Sequence, residues 1–542
     1  MGGKIMGRYL NSATSYVLYK GQTEQPYFVD KTQMLSELFP FLDAGNTHIC
    51  ITRPRRFGKT VMANMITAFL GKKQDSDSIF KSLKISQNDL YNEYRNQYNV
   101  ISIDFSKMPR DCDSYTDYID RIETNLIRDL RKEYPQIEIY EDDSAADVLE
   151  TIFEECDQQR FVFVLDEWDF IFHKDFVTEE NKKQYVLFLS NLLKDRSYVQ
   201  LTYMTGILPI AKYSSGSELN MFWEYTMASE AKYNEYFGFT DSEVDQLYEK
   251  YTRNTREIHI SREDLKEWYD GYTTKSGERM YNPRSVVLAL TNNNIGNYWT
   301  SSGPYDEIFY YIRQNIDDVQ SDLALMISGE AVTAKIQEYA AVSMNLTTKN
   351  EIFSAMIVYG FLSYENGEVR IPNKELMEKF DEMLQKEESL GYIYRLAKES
   401  DQMLKATLAN DTKTMEKILS YVHDTETPIL SYNHETELSA IVNLAYLSAR
   451  DQYHIEREDK AGKGFVDFIF YPYDRAADGV ILELKVDKTP EYAISQIKEK
   501  QYALRFKGKL AEKQQFTGRI LAVGINYDKE TKQHRCKVEE IK

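Results

Sequence analysis

Along the first 210 positions the apolar residues fall into short unbroken runs separated by amphipathic stretches. Ile49–Thr52, Asn99–Phe105, Phe161–Leu165 and Val199–Thr205 read as strands. The intervening patterns predict helices from about Lys59 to Leu70, Ser114 to Tyr134 and Lys182 to Lys194. Continuous apolar strands alternating with helices predict a parallel sheet covered on both faces, an α/β fold. From about 230 to 340 the pattern turns mostly helical and rich in tyrosine. Residues 345–385 read as a small winged module. A helix around Glu351–Tyr359 leads to Phe361–Tyr364, and Glu365-Asn366-Gly367 turns the chain into Val369–Ile371. Asn-Gly readily takes the positive φ angles that such a hairpin requires, and Pro372 stops the second strand. Helical connectors follow to about 425, and Thr425-Glu426-Thr427-Pro428 marks a boundary. The last segment reads helix (Glu435–Arg450), three strands (Tyr453–Arg457, Phe465–Tyr471, Val480–Val486), helix (Glu491–Phe506) and strand (Arg519–Ile525). No internal repeat or low-complexity segment interrupts it.

A chain of 542 residues is too long for one hydrophobic core, so several units are expected. The pattern divides it at 1–230, 231–344, 345–425 and 426–542. Cys50, Cys112, Cys156 and Cys536 are far apart and form no CxxC pair, which points away from zinc and disulfides and toward a reducing cytoplasm. No apolar run approaches the ~20 residues that span a bilayer, and the N-terminus lacks the apolar core of a secretion signal. A cytoplasmic protein with no membrane partner is expected. The net charge of −20 weighs against nucleic acid as a partner. Between Lys485 and Arg519, however, nine bases face only four acids. This predicts either a local basic surface or a solvated lysine-rich helix face.

Two patterns carry chemistry. The first is Arg53-Pro54-Arg55-Arg56-Phe57-Gly58-Lys59-Thr60, between the first strand and its helix. Backbone N–H groups of a tight loop at a helix N-terminus wrap phosphates. Lys59 would add charge at the β/γ-phosphates and Thr60 a hydroxyl for Mg²⁺. Arg53 stands where a P-loop usually has its first glycine. Phe161–Leu165 ends in Asp166-Glu167, so Asp166 can hold Mg²⁺ through water and Glu167 can polarise the attacking water. Thr205 is read either as a sensor of the γ-phosphate or as a plain strand-end hydroxyl. Arg284 is an arginine sensor or a packing residue.

The second pattern is Asp467 on one strand and Glu483-Leu484-Lys485 on the next. Glu483 and Lys485 are two apart on a strand and project from one face, while Leu482 and Leu484 face the core. Phosphodiester cleavage needs a hard-oxygen site for Mg²⁺ or Mn²⁺ and a cation near the attacking water. The alternative is an Asp467–Lys485 salt bridge on an exposed sheet face.

Tyr27–Thr32, Arg53–Thr60, Leu165-Asp166-Glu167, Thr205-Gly206-Ile207, Trp268–Tyr272 and Tyr281–Ser285 together resemble the AAA-ATPase-like family of bacterial proteins. The resemblance implies a P-loop ATPase region at 1–230 and a helical lid at 231–344, with a winged-helix-like module and connector at 345–425. It also implies nucleotide contacts from Arg53, Arg55, Arg56, Phe57, Gly58, Lys59, Thr60, Asp166 and Thr205. Residues 426–542 resemble the PD-(D/E)XK nuclease superfamily in its αβββαβ order, with Gly464-Phe465-Val466-Asp467 in place of the usual Pro-Asp. That resemblance implies that Glu437 on the leading helix completes the metal shell. Gln496, with Tyr502 after it, matches the glutamine-tyrosine pattern of members acting on DNA ends or single strands, at a longer spacing.

Three readings follow. The first is an ATP-binding and hydrolysing protein whose nucleotide state gates a metal-dependent nuclease on DNA or RNA, suited to defence or a mobile element. The second is a nucleotide-dependent switch or scaffold for a protein partner, with an inactive nuclease fold; 41 tyrosines and the acidic balance favour protein contacts. The third, a DNA-binding regulator using the winged module, has little positive charge to support it.

Overall fold

Side chains alternate across each strand, so a strand apolar at every position must be covered on both faces. In the computed structural model, five strands form one parallel sheet in the order β2-β3-β4-β1-β5. They are β1 (Thr47–Thr52), β2 (Asn99–Asp104), β3 (Phe161–Asp166), β4 (Val199–Gly206) and β5 (Phe222–Tyr225). Ile49, Ile51, Val162 and Val164 pack into a core on one face; Cys50, Phe161, Phe163 and Leu165 pack into another on the opposite face. The residues described are 7–109, 112–210, 218–228, 230–299, 316–327, 329–336, 348–386, 392–425, 435–461, 464–474, 476–504, 506 and 516–541. The short edge strand β5 escapes the hydrophobic pattern because only Phe222 of its four residues is buried.

The tyrosine-rich stretch is helical as expected, over Asp241–Asn254, Arg262–Tyr269 and α2 (Pro283–Asn292), where α1 is Lys59–Leu70 after the P-loop. Thr240 with Glu243, and Ser261 with Asp264, form reciprocal caps that start the first two of these helices. Tyr251, Tyr269 and Tyr281 are buried in one apolar cluster, which accounts for much of the tyrosine there. A two-stranded hairpin, β6 (Tyr272–Thr273) and β7 (Arg279–Met280), leads into α2.

The winged module has α3 (Lys349–Tyr359), the hairpin β9 (Ser363–Glu365) and β10 (Glu368–Arg370), and α4 (Lys374–Leu384). Asn366 and Gly367 both have positive φ, as the turn requires. A third strand, β8 (Val332–Thr333), pairs with β10 and comes from before the expected module.

The C-terminal sheet follows α5 (Glu435–Ala445) and has the order β11-β12-β13-β14-β15. Its strands are β11 (Tyr453–Ala461), β12 (Gly464–Pro472), β13 (Gly479–Val486), β14 (Ile520–Asp528) and β15 (Gln533–Ile541), with α6 (Pro490–Glu499) between β13 and β14. β13 and β14 are parallel and the other pairs antiparallel. The helix expected to reach Phe506 ends at Glu499, because Gln501 takes a left-handed φ of 56° that breaks it. β15 extends the expected order; its buried His534, Cys536 and Val538 alternate with more exposed residues. One buried cluster runs from Phe57 of the P-loop through Val369 and Leu376 of the winged module to Leu482, Leu484 and Val538 of this sheet. No helix among the described residues is long and apolar enough to cross a membrane.

Candidate functional sites

The P-loop leaves β1 and enters α1 through Gly58, whose φ of 90° is strained for any residue with a side chain. Arg56 also has positive φ, at 71°. Arg55, Arg56, Phe57, Gly58, Lys59, Thr60 and Glu167 line a cleft of about 920 Å³, with Arg284 at the start of α2 facing the same space. The Lys59 Nζ donates to the carbonyls of Arg53 and Pro54, each at 3.0 Å. Burial lowers its pKa, and the carboxylates of Glu167, Asp169 and Asp166 oppose that shift.

Asp166, at the tip of β3, is buried and pairs in register with Asp104 of β2. Burial, then Asp104 and Glu167, push its carboxyl up to about 7, against a hydrogen bond from the Thr60 side chain and the charge of Lys59. Thr60, on the cleft wall, and Asp166, buried and not itself lining the cleft, are thus in side-chain contact. Glu167 sits at a left-handed φ of 55°, rare for a residue other than glycine, on the turn that aims it into the cleft. Burial raises its carboxyl too, and Lys59 holds it back.

Arg53 and Thr205 are placed differently, and neither side chain lines the cleft. Arg53 is buried and donates to the carbonyls of Thr52 (2.7 Å) and Tyr225 (2.8 Å) and to Asn234 Oδ1 (2.8 Å). It ties the loop to the end of β5. The Thr205 hydroxyl donates to the Ile51 carbonyl across the sheet at 2.9 Å.

Asp169 is a residue that sequence reasoning missed. It is buried, and its Oδ2 accepts the amides of Ile207 (3.0 Å) and Leu208 (2.8 Å) after β4. It thereby fixes the end of β4 against the Asp166-Glu167 turn. The available signal was a third acid three residues after Asp166, beside the apolar Trp168 and Phe170.

In the C-terminal sheet the β12–β13 ladder runs from Phe470↔Val480 to Phe468↔Leu482. Past that point the Asp467 side chain takes over, Oδ2 accepting the Leu484 amide at 2.7 Å. Glu483 Oε1 accepts from Lys485 Nζ at 3.1 Å and from the Gln496 side-chain amide. Glu483 and Lys485 are 2% and 6% exposed, so this face is not the exposed sheet surface of the salt-bridge alternative. Burial, and then the nearby Asp467 charge, push Glu483 up to about 7 against the pull of Lys485. Its Oε2 is buried with no hydrogen-bond partner. A buried carboxylate oxygen without a partner is costly unless something else occupies it. Two hard-oxygen donors from neighbouring strands, one of them orphaned, fit a Mg²⁺ or Mn²⁺ ion. No group of three or more His, Cys, Asp or Glu residues converges among the described residues. Glu437 lies on α5, but its side chain is outside the described residues.

Residues 19–215 match the family model "Predicted AAA-ATPase", and residues 435–536 match that of the PD-(D/E)XK nuclease superfamily. The chain joins an AAA-ATPase-like region to a PD-(D/E)XK nuclease superfamily region. An uncharacterized protein in the vnfD 5′ region of Azotobacter chroococcum is 24% identical over 284 residues, 51% of this chain. The match spans about half the length of that curated relative. Among solved structures, a Walker-type ATPase of Pyrococcus abyssi has 11% identity and a TM-score of 0.38, over 65% of this chain and 94% of that one. The Aeropyrum pernix ORC2 protein has 12% identity and a TM-score of 0.32, over 70% and 96%.

The basic stretch beside the nuclease-superfamily site is largely neutralised where it is described. Lys498 pairs with Glu539 and Arg519 with Asp478. Arg505, Lys507, Lys509 and Lys513 lie outside the described residues.

Both sites hold a carboxyl raised to about 7, Asp166 and Glu483. Between the ordinary carboxylate range and about pH 7 the folded chain keeps protons that the unfolded chain has lost. The contribution of these two carboxyls to stability therefore falls as pH rises through that window. The ligand-free protein is expected to melt several degrees lower at pH 8 than at pH 5.5. Mg²⁺ with ATP is expected to flatten the slope, because a cation replaces the protons; calorimetric melting at both pH values measures it.

Proposed function

We propose that the protein binds and hydrolyses ATP in the P-loop cleft, and that nucleotide state there gates metal-dependent cleavage of nucleic acid at the C-terminal site. The observation that carries this reading is the grouping of Asp467 and Gln496 around the buried Glu483 and Lys485, with Glu483 Oε2 left without a hydrogen-bond partner.

In the cleft, loop amides and Lys59 would bind the β/γ-phosphates, and Arg55, Arg56 and Arg284 would add charge around them. Thr60 and Asp166 would hold Mg²⁺. Glu167 would orient the attacking water and draw its proton. At the second site Asp467 and Glu483 would hold the metal. The metal would supply a Lewis acid at the phosphoryl oxygens and lower the pKa of water. Lys485 would stabilise charge developing on the scissile phosphate, and Gln496 would fix the orientation of Glu483.

The test is cleavage of labelled single- and double-stranded DNA and RNA with Mg²⁺ or Mn²⁺, with and without ATP, by wild type and Glu167→Gln. The variant keeps its shape and loses the base. It should bind ATP as tightly as wild type, hydrolyse it at least about a hundredfold more slowly, and hold the nuclease in its ATP state. Turnover equal to wild type would give Glu167 another role. Absence of cleavage under every condition would favour a nucleotide-dependent scaffold that binds a protein partner.

A further inference from the structure

The winged module touches the nucleotide loop directly at one point and through Trp299 at a second. Gly360 ends α3 with a φ of 85°, and a Cβ built there would stand 2.6 Å from the Pro54 Cβ. The Trp299 indole N–H donates to the Arg55 carbonyl at 3.3 Å. Trp299 is in turn held by the winged module. Its amide and that of Tyr298 donate to Glu375 Oε1 at 2.6 and 2.7 Å. The hydroxyl of Ser285, next to Arg284, donates to Glu375 Oε2 at 2.8 Å. One carboxylate in the first turn of α4 thus clasps both the segment that contacts the P-loop and the helix that presents Arg284.

Glu375 is 1% exposed, and its desolvation pushes the carboxyl up to about 7. Keeping a charge there is unfavourable for folding alone, which sets the clasp apart from ordinary packing. At the far end of α4, Asp381 pairs with Arg450 at 2.8 Å. Arg450 lies between α5 and β11, in the nuclease-superfamily region, and also donates to the Ile327 carbonyl at 2.9 Å. The two acids are six residues apart, about 9 Å of rigid helix.

We propose that Glu375 is a positioning residue for the nucleotide cleft, and that α4 carries the state of that cleft to the nuclease-superfamily region through the Asp381–Arg450 pair. The inference rests on the reading of the two sites proposed above. ATP that moves the Arg55 carbonyl or Arg284 moves Trp299 or Ser285, and both pull on one end of α4. Coupling of this kind is reciprocal: a ligand at the second site must change ATP affinity by the same factor.

The experiment uses the full chain carrying Asp467→Ala, which stops cleavage. Calorimetry gives its ATP–Mg²⁺ affinity, and fluorescence anisotropy gives its affinity for a labelled single-stranded DNA oligonucleotide with and without a non-hydrolysable ATP analogue. Trp299→Phe keeps an aromatic ring on Phe361 but removes the N–H donor together with part of the indole's volume; it should weaken ATP roughly three- to tenfold. Glu375→Ala should weaken it at least as much, and the double variant should be little worse than Glu375→Ala alone, because the two act in series. Arg450→Met should leave ATP affinity unchanged and abolish the effect of the analogue on DNA affinity. Unchanged ATP affinity in Trp299→Phe, or a DNA response that survives Arg450→Met, overturns the inference while the two-site reading stands. A parent protein that binds no ATP overturns both.

Discussion

Lys59→Ala will lower ATP–Mg²⁺ affinity by at least about a hundredfold, the loss expected from two charge-assisted hydrogen bonds. In the ligand-free protein the ammonium bonds two carbonyls of its own loop and stands near three carboxylates. Triphosphate oxygens replace those carbonyls on binding; alanine offers them nothing. The fold should persist, because the hydrogen bonds that Lys59 gives up lie within its own loop. Loss of the cation should drive Asp166, Glu167 and Asp169 further up, so the variant should lose stability with rising pH more steeply than wild type. Calorimetric titration decides the matter: unchanged affinity would remove the phosphate role of the loop.

The second large effect is at the nuclease-superfamily site. Asp467→Ala removes a hard-oxygen donor and also frees the Leu484 amide at the point where β12 and β13 part. Metal affinity and cleavage should fall together, cleavage to below detection. Lys485→Ala should behave differently. It removes the charge that holds Glu483 down, so the Glu483 carboxyl should rise above about 7 and the metal should bind only at higher pH. At saturating metal, cleavage should still be down roughly a hundred- to thousandfold, because Lys485 acts on developing charge. The triple variant with Glu483→Ala should be scarcely worse than the worst single one. Measuring Mn²⁺ binding beside cleavage of labelled DNA separates these effects. An Asp467→Ala protein that cuts like wild type would place the activity elsewhere.

Much of this was legible in the chain. Four of the five strands of the P-loop sheet, the Asn366-Gly367 hairpin and the shared face of Glu483 and Lys485 follow from apolar runs, turn chemistry and the two-residue period. Strands β5 and β15 were missed, since too few of their residues are apolar for a periodic signal, and the two-residue strands β6, β7 and β8 are too short to give one. Arg53 shows a different limit. Its place in the loop pointed to phosphate, yet its guanidinium reaches back to Tyr225 and Asn234, far along the chain. The same holds for Asp169, Trp299 and Glu375, whose partners lie 38 to 244 residues away. Local pattern carries the strand and the loop; it does not carry which distant group a polar side chain meets.

The buried cluster that runs from Phe57 to Val538 bears on how such a protein can be inherited in pieces. Leu482, Leu484 and Val523 pack against the same core as α3 and α4, so a graft cut at the boundary near 425 would lay bare an apolar sheet face. The smallest segment that recombination could move intact takes the winged module with it. Swapping the C-terminal region between relatives would then exchange the cleavage site together with the element that rests on Pro54, and a mismatched pair would fail at that joint before it failed at either site.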